Sequence, residues 1–465
     1  MFDSSQNWKR LIFGLLVIVS CSKTEPETEP PPPQEKPNNV LVVVDTLRAD
    51  HLGVYGHHRA TSPTMDELAR TGTWFGRAYA HSGWTLASMT SLFTGLHFHK
   101  HRVGRAPNDP AQFGRLPDET ETLAELLGGA GYATAGVVNN TFLAPEFGLN
   151  QGFGENYLWD GASNIQHRTG VETVDLGLDW LKAQTSPSFL FLHMMEPHLS
   201  YDPPESIRGT FAPKEGLPFR VPLLQQDLLD GINTGRLTLD EDLINAVTGL
   251  YDEEILAADQ AIGELVKGLK AQGVWENTLI VITSDHGEEF WDHGGFEHGH
   301  TLYGELTRVP LILSGGALSN PVGRVDTLTA HVDVFRGLVE RVGATVPAGV
   351  AGLDMFEIAN GLSVPGRAIL SENTLYGPSL VSVVDDGNRL VINQHSAAGE
   401  VWAVDSMGLE LERRQGRDQM EHGQRLTNIL AQMRGTLDPV ESVVGPQIPS
   451  PDTFEQLRAL GYLNE

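Results

Sequence analysis

The stretch Thr278-Leu279-Ile280-Val281-Ile282-Thr283-Ser284-Asp285-His286-Gly287-Glu288-Glu289 decides how this chain folds. Its first half is short, apolar and β-branched, as expected of a strand buried on both faces. Its second half turns at once to a carboxylate, an imidazole and a glycine. The same pattern recurs near the start, where the apolar run 40–44 leads into Asp45-Thr46-Leu47-Arg48-Ala49-Asp50. Further strand candidates lie at 132–138, 189–193 and 309–313, with helical patterns at 63–72, 86–93, 119–127 and 243–272. Strands alternating with helices predict an α/β fold with a mostly parallel central sheet and helices on both faces. Ligands of such sheets sit beyond the carboxyl ends of the strands. That directs attention to Asp45, to Glu196 with His198, and to Asp285 with His286. Residues 368–404 read differently, as short strands around an Asp385-Asp386-Gly387 turn, and predict a small C-terminal α+β subdomain.

The chain has 465 residues, a formal net charge of -28 and 17 histidines, several of them between His286 and His300. So acidic a surface excludes a nucleic-acid backbone as partner, which needs a basic one. It leaves room for an anionic ester, because a bound cation inverts the local field. The single cysteine, Cys21, follows Lys9-Arg10, the apolar run 11–19 and Ser20. That is the order of a secretory signal, with an apolar run too short to span a bilayer. Ile18-Val19-Ser20-Cys21 resembles a bacterial lipobox, in which the cysteine is lipidated and becomes the new N-terminus. The Pro- and Glu-rich stretch after it reads as an extended tether. The expected organisation is therefore a signal at 1–21, a tether at 22–38, a catalytic α/β domain at 39–365 and a C-terminal subdomain and tail at 366–465. The expected location is outside the cytoplasm, on a membrane through the lipid on Cys21; Ser22 suits sorting to the outer membrane.

An aspartate after a strand, such as Asp45, is by itself more often a turn or cap residue than a ligand. Asp285 beside His286 is better, since hard oxygen and neutral nitrogen together suit a divalent metal. Ser82-Gly83-Trp84-Thr85-Leu86-Ala87-Ser88-Met89-Thr90-Ser91-Leu92-Phe93-Thr94-Gly95 places a hydroxyl at a helix start. Unsatisfied N–H groups and the helix dipole there can hold an anionic oxygen. A lone threonine in that place is usually an N-cap; a metal would lower its hydroxyl pKa and make it a nucleophile.

Taken together, these stretches resemble the sulfatase branch of the alkaline-phosphatase superfamily, from about residue 38 to about residue 428. The resemblance takes in Phe191-Leu192-His193-Met194-Met195-Glu196-Pro197-His198, the run from His293-Gly294 through His298-Gly299-His300-Thr301-Leu302-Tyr303-Gly304-Glu305, and Arg308-Val309-Pro310-Leu311. The ending Leu457-Arg458-Ala459-Leu460-Gly461-Tyr462 is similar to that of many such bacterial proteins. The family's nucleophile is a cysteine or serine before x-Pro-Ser-Arg, converted to formylglycine. Here Thr85 takes that position, Ala87 that of the proline, Ser88 that of the serine and Met89 that of the arginine. Threonine cannot give formylglycine, because its extra methyl yields a ketone. The family's paired acidic ligands after the first strand are reduced to Asp45-Thr46, and its sulfate-gripping Lys-x-His is replaced by Val138-Asn139-Asn140.

The resemblance, with these departures, implies one divalent cation (Mn, Zn, Ca or Mg) on Asp45, Thr85, Asp285 and His286. It implies attack by Thr85 on a phosphate ester, with Asn140 or Asn139 donating to a non-bridging oxygen and His198 near the leaving group. Either His298 or His300 falls at the family's substrate-binding position. A second metal on Glu196, His198 and one of His298 or His300 is less expected, because Glu196-Pro197-His198 lacks the usual Asp-x-x-x-His spacing. His101 is expected to support the nucleophile helix; His57, His58, His97 and His99 are expected on loops or the surface, and Trp84 in the core. The leading reading is a phosphoester hydrolase acting on a small molecule, glycan or lipid headgroup. A phosphotransferase on a surface glycan or lipid, a true sulfatase and an inactive glycan-binding module are the alternatives. Residues 200–242 are the candidate lid.

Overall fold

The computed structural model describes residues 36–106, 109–160, 168–435 and 448–459. Cys21, the signal and the tether before Lys36 lie outside them, as does the end of the chain beyond Ala459. No helix among the described residues is long and apolar enough to cross a membrane.

The central sheet has eight strands: β1 (Asn38–Val44), β2 (Thr73–Phe75), β3 (Ala133–Val138), β4 (Tyr157–Trp159), β5 (Ser188–Met194), β6 (Thr278–Thr283), β7 (Leu311–Ser314) and β8 (Gly323–Val325). They lie in the order β8-β2-β7-β6-β1-β5-β3-β4. Every neighbouring pair is parallel except those β7 makes with β6 and β2. The three central strands β6, β1 and β5 are buried along almost their whole length, which is why each reads as an unbroken apolar run.

Side chains alternate strictly between two cores. Leu41, Val43, Phe189, Phe191, Leu279 and Val281 join one, whereas Val40, Val42, Leu190, Leu192, Ile280 and Ile282 join the other. Helix α2 (Thr85–Thr94) covers the first face; α1 (Pro63–Thr71), α3 (Gly170–Lys182) and α4 (Glu241–Ala271) cover the second. Burying each such side chain contributes roughly 1.5–3 kcal/mol. Helix α3 starts with a reciprocal cap: Thr169 Oγ1 accepts from Glu172 N at 3.3 Å and Glu172 Oε2 accepts from Thr169 N at 2.8 Å.

Two predicted boundaries move for local reasons. The pattern at 119–127 becomes a helix at Leu123–Gly129, because Thr122 caps it by accepting from Glu125 N. The run 309–313 splits at Pro310, which has no N–H for the ladder: Arg308–Val309 joins Ala78–Tyr79 in a small sheet, and Leu311–Ser314 becomes β7. A separate antiparallel sheet holds β9 (Ile369–Glu372), β10 (Leu380–Val384), β11 (Asn388–Asn393), β12 (Gly399–Val404) and β13 (Glu410–Arg413). The expected turn joins β10 to β11, with Asp385 Oδ1 accepting from Gly387 N and Asn388 N. Buried Arg389 ties this sheet to the main body through Leu302 O at 3.1 Å and Thr307 Oγ1 at 2.9 Å.

Candidate active site

Three strand ends and one helix start converge. Asp45 follows β1, Asp285 and His286 follow β6, Asn140 follows β3, and Thr85 is the first residue of α2. All five side chains are buried. Helix α2 has no side-chain cap at its start, so its first amides remain for an anionic group.

Thr85 Oγ1 lies 3.3 Å from His286 Nε2 and 3.4 Å from Asn140 Nδ2. Asn140 Nδ2 also donates to Asp45 Oδ2 at 2.6 Å. Asp285 Oδ1 accepts from Thr46 N at 3.2 Å and His286 N at 2.9 Å. Since His286 Nδ1 stands 2.9 Å from Gly287 O, which can only accept, Nδ1 carries the proton. The lone pair of the neutral ring is then on Nε2, turned to Thr85 and to Asp285 Oδ2 at 3.3 Å.

Asp45, Asp285 and His286 offer donor atoms all within 4.8 Å of one another. Among the described residues neither Asp45 Oδ1 nor Asp285 Oδ2 receives a hydrogen bond. Burial, and then the charge of Asp285, push the Asp45 carboxyl well above the usual carboxylate range. Burial pushes Asp285 up too, but His286, His193 and the two backbone N–H donors outweigh it and hold that carboxyl low. Two buried carboxylates with bare oxygens beside an imidazole lone pair are a donor set for a hard divalent cation. Thr46 adds strain in the same place: this buried β-branched residue has φ 55, held by its N–H to Asp285 and by Tyr251 Oη donating to its carbonyl at 2.7 Å.

The structure separates residues that sequence left paired. Asn140 faces the site, whereas Asn139 donates to Thr173 Oγ1 at 2.9 Å and His193 O at 2.6 Å, away from Thr85. The His298 ring lies 4.6 Å from that of His286 and 5.0 Å from that of His198. His300 is instead paired with Glu289 Oε2 at 2.8 Å. Glu196 accepts from Gly170 N at 2.9 Å. Two further ligand-like groups, His51-His57-Asp252 and His293-Glu305-Glu410, already contain an arginine partner, Arg59 and Arg389 respectively.

Trp84 is in the core, donating to Asn373 Oδ1 at 3.0 Å. His101 meets Ser91 of α2 at 3.0 Å. His97 lies on the loop after α2, as expected, though it is buried against His81; His99, also expected on a loop or the surface, lies instead in the short helix Phe98–His101, 2.7 Å from Glu372 Oε2. Sequence reasoning missed His193, whose Nε2 lies 3.5 Å from Asp45 Oδ2. Its signal was alternation: it sits two residues after Phe191, on the face that carries α2. Ser88 and His331 were also missed. Ser88 Oγ donates to Asp285 O at 2.6 Å, which fastens the β6 end to α2, and His331 Nε2 donates to Ser284 O at 2.9 Å from the helix His331–Arg341.

This fold and this group of residues define an α/β enzyme for charged ester bonds, and comparison with known proteins gives the family. The Sulfatase family model matches residues 37–344, and the chain belongs to that family of ester-hydrolysing enzymes. It is 25% identical over 393 residues to an arylsulfatase of Clostridium perfringens, covering 70% of this chain and 78% of that one. Its fold is similar to that of the phosphonate monoester hydrolase of Agrobacterium radiobacter, with TM-score 0.68 and 18% identity over 90% of this chain and 100% of the other. It is also similar to a structure solved with its substrate D-glucosamine-2-N,6-O-disulfate, with TM-score 0.69 and 18% identity over 88% and 100%.

Proposed function

We propose that this chain hydrolyses a phosphate ester with Thr85 as nucleophile. The observation that carries the reading is the Thr85 oxygen itself, at a helix start and within 3.4 Å of both His286 Nε2 and Asn140 Nδ2. A threonine cannot become the aldehyde that formylglycine chemistry requires, so the oxygen acts directly. Once its hydroxyl proton has passed to solvent, it attacks phosphorus in line, the bond from phosphorus to the leaving oxygen breaks, and a phospho-threonine forms. Water then gives a proton to His198 and attacks phosphorus, and the bond from phosphorus to the Thr85 oxygen breaks. Asn140 donates to a non-bridging oxygen as charge develops there. His198 supplies a proton to the leaving oxygen, and His298 donates to the transferred group. Asp45, Asp285 and His286, with the Thr85 oxygen, are the residues that would hold a divalent cation. Such a cation lowers the pKa of a bound hydroxyl and neutralises charge on the transferred group.

The test uses the full chain with Mn²⁺ or Zn²⁺ and three p-nitrophenyl esters: the phosphate monoester, the phosphate diester and the sulfate. Turnover of a phosphate ester that disappears in Thr85→Ala is the expected result. Sulfate turnover that survives Thr85→Ala would mean a different nucleophile. The sulfate arm matters because the relative quoted above is an arylsulfatase, which keeps a sulfate ester as the second reading. In the cell the enzyme is held on a membrane by lipid on Cys21, as its position after the apolar run 11–19 implies. A globomycin-sensitive change in precursor size is expected; a protein absent from membrane fractions would count against the anchor.

A further inference from the structure

The segment between β5 and α4 is tied into the site by its neck. Tyr201 and Leu223 form a two-way backbone bridge, Tyr201 N to Leu223 O at 3.2 Å and Leu223 N to Tyr201 O at 2.9 Å. Directly beyond Tyr201, Asp202 N donates to Glu254 Oε1 at 2.6 Å. Directly beyond the bridge on the other arm, Gln225 donates to Glu297, the neighbour of His298. Tyr201 is fully buried and packs edge-on against Tyr251, with ring centroids 5.8 Å apart. Its hydroxyl donates to Glu288 Oε2 at 3.2 Å, and the other oxygen of that carboxylate meets His298 Nδ1 at 3.0 Å.

Tyr201, Glu288 and His298 are all completely buried, and this continuous line runs from the inserted segment to a histidine 4.6 Å from His286. The hydrogen bond to Glu288 occupies His298 Nδ1, and the ring can be turned only by breaking it. A ring anchored through Nδ1 acts on substrate through Nε2. We infer that Glu288 is the positioning residue of His298, and that Tyr201, delivered by the inserted segment, fixes Glu288. The segment thereby helps assemble the reaction centre rather than only covering it. This inference rests on the phosphoesterase reading above, in which His298 donates to the transferred group.

The experiment is a double-mutant cycle on p-nitrophenyl phosphate with saturating Mn²⁺. A residue that acts only through His298 has nothing to act on once His298 is gone. Glu288→Ala should lower kcat by about 100-fold in the otherwise native chain and by less than about 2-fold in the His298→Ala chain. Glu288→Gln keeps an acceptor for Nδ1–H and should recover most of that loss. Tyr201→Phe keeps the ring packing and should cost about 5-fold, a cost again absent without His298. Mn²⁺ affinity, read by calorimetry, should be the same in Glu288→Gln and the native chain. Additive losses in the cycle, or an unchanged kcat in His298→Ala, would overturn the inference. If Glu288→Ala does not fold, the Tyr201→Phe cycle decides in the same way. Activity that persists in Thr85→Ala would instead strike the phosphoesterase reading, so the two failures are distinguishable.

Discussion

Thr85 Oγ1 and His286 Nε2 stand 3.3 Å apart although 201 positions separate them in the chain. The Gly287 carbonyl holds the imidazole proton on Nδ1, so the contact brings a hydroxyl against a lone pair. If the oxygen is the nucleophile, Thr85→Ser retains it and loses only a buried methyl. Thr85→Ser is expected to keep turnover within about 100-fold of the native chain, and Thr85→Ala to lose at least about 10⁴-fold. Steady-state rates on p-nitrophenyl phosphate decide it; equal rates for the two variants would refute a nucleophilic role.

Asn140 bridges the same oxygen and Asp45, at 3.4 Å and 2.6 Å. Removing an amide that meets charge developing in the transition state typically costs about 10²–10³ in kcat. Asn140→Ala is expected to fall in that range. Asn139→Ala should cost far less in kcat, since its amide is spent on Thr173 and the His193 carbonyl. Reversed sensitivities would mean that the substrate enters from the other side.

Asp45 and Asp285 repel each other in a buried site, and burial with that repulsion holds the Asp45 carboxyl up. Adding Mn²⁺ or Zn²⁺ should therefore raise Tm, by the equivalent of about 2.7 kcal/mol at 100 times Kd. Asp45→Asn should raise the Tm of the metal-free protein while removing most of the metal-induced shift. Differential scanning fluorimetry across a metal titration checks both halves. A full metal shift in Asp45→Asn and in Asp285→Asn would exclude them as ligands.

Buried Glu253 of α4 accepts, through Oε1, from the backbone N–H of Gly209, Phe211 and Ala212 at 2.9, 2.9 and 3.0 Å. Glu253→Ala leaves three amides without that acceptor, a cost of roughly 3 kcal/mol or more. The loss should localise: limited proteolysis of Glu253→Ala should cut first between residues 203 and 240, while Glu253→Gln, which keeps the acceptor, resists. Uniform proteolysis across the chain would contradict this.

Glu372 connects β9 to His99 in the short helix Phe98–His101 that follows α2. Burial alone would raise its carboxyl, but His99, hydrogen-bonded at 2.7 Å, and Arg434 together hold it at about 2. The folded value lies below the unfolded one, so the stabilisation is complete above about pH 4.5 and disappears as pH falls toward 2. The shift corresponds to about 3 kcal/mol at neutral pH. Glu372→Gln should therefore unfold more easily than the native chain at pH 7, with the gap narrowing below pH 4.5. Urea titrations at several pH values measure it; a gap that stays constant down to pH 3 would rule the carboxylate out.

What the sequence determined by itself was the fold and the main chemical groups. Strands such as Thr278–Thr283 are buried on both faces, so their composition announces them without any partner. A residue following such a strand must emerge at the sheet's carboxyl edge, which made Asp45, Asp285 and His286 legible, and the departure at Thr85 could be read from the motif. Tertiary structure alone decided which of two near neighbours turns inward. Asn140 is selected because its own Oδ1 caps the turn at Thr141–Leu143, accepting from Phe142 N at 2.8 Å, while Asn139 points into the β3–β5 seam. His298 is separated from His300 only by Gly299, whose φ of 84 sends the two rings to different partners. Neither outcome follows from local pattern, because each depends on a loop conformation and on acceptors supplied from elsewhere in the chain. The same holds for the line from Tyr201 through Glu288: contacts across 87 positions exist only once the sheet has brought its ends together.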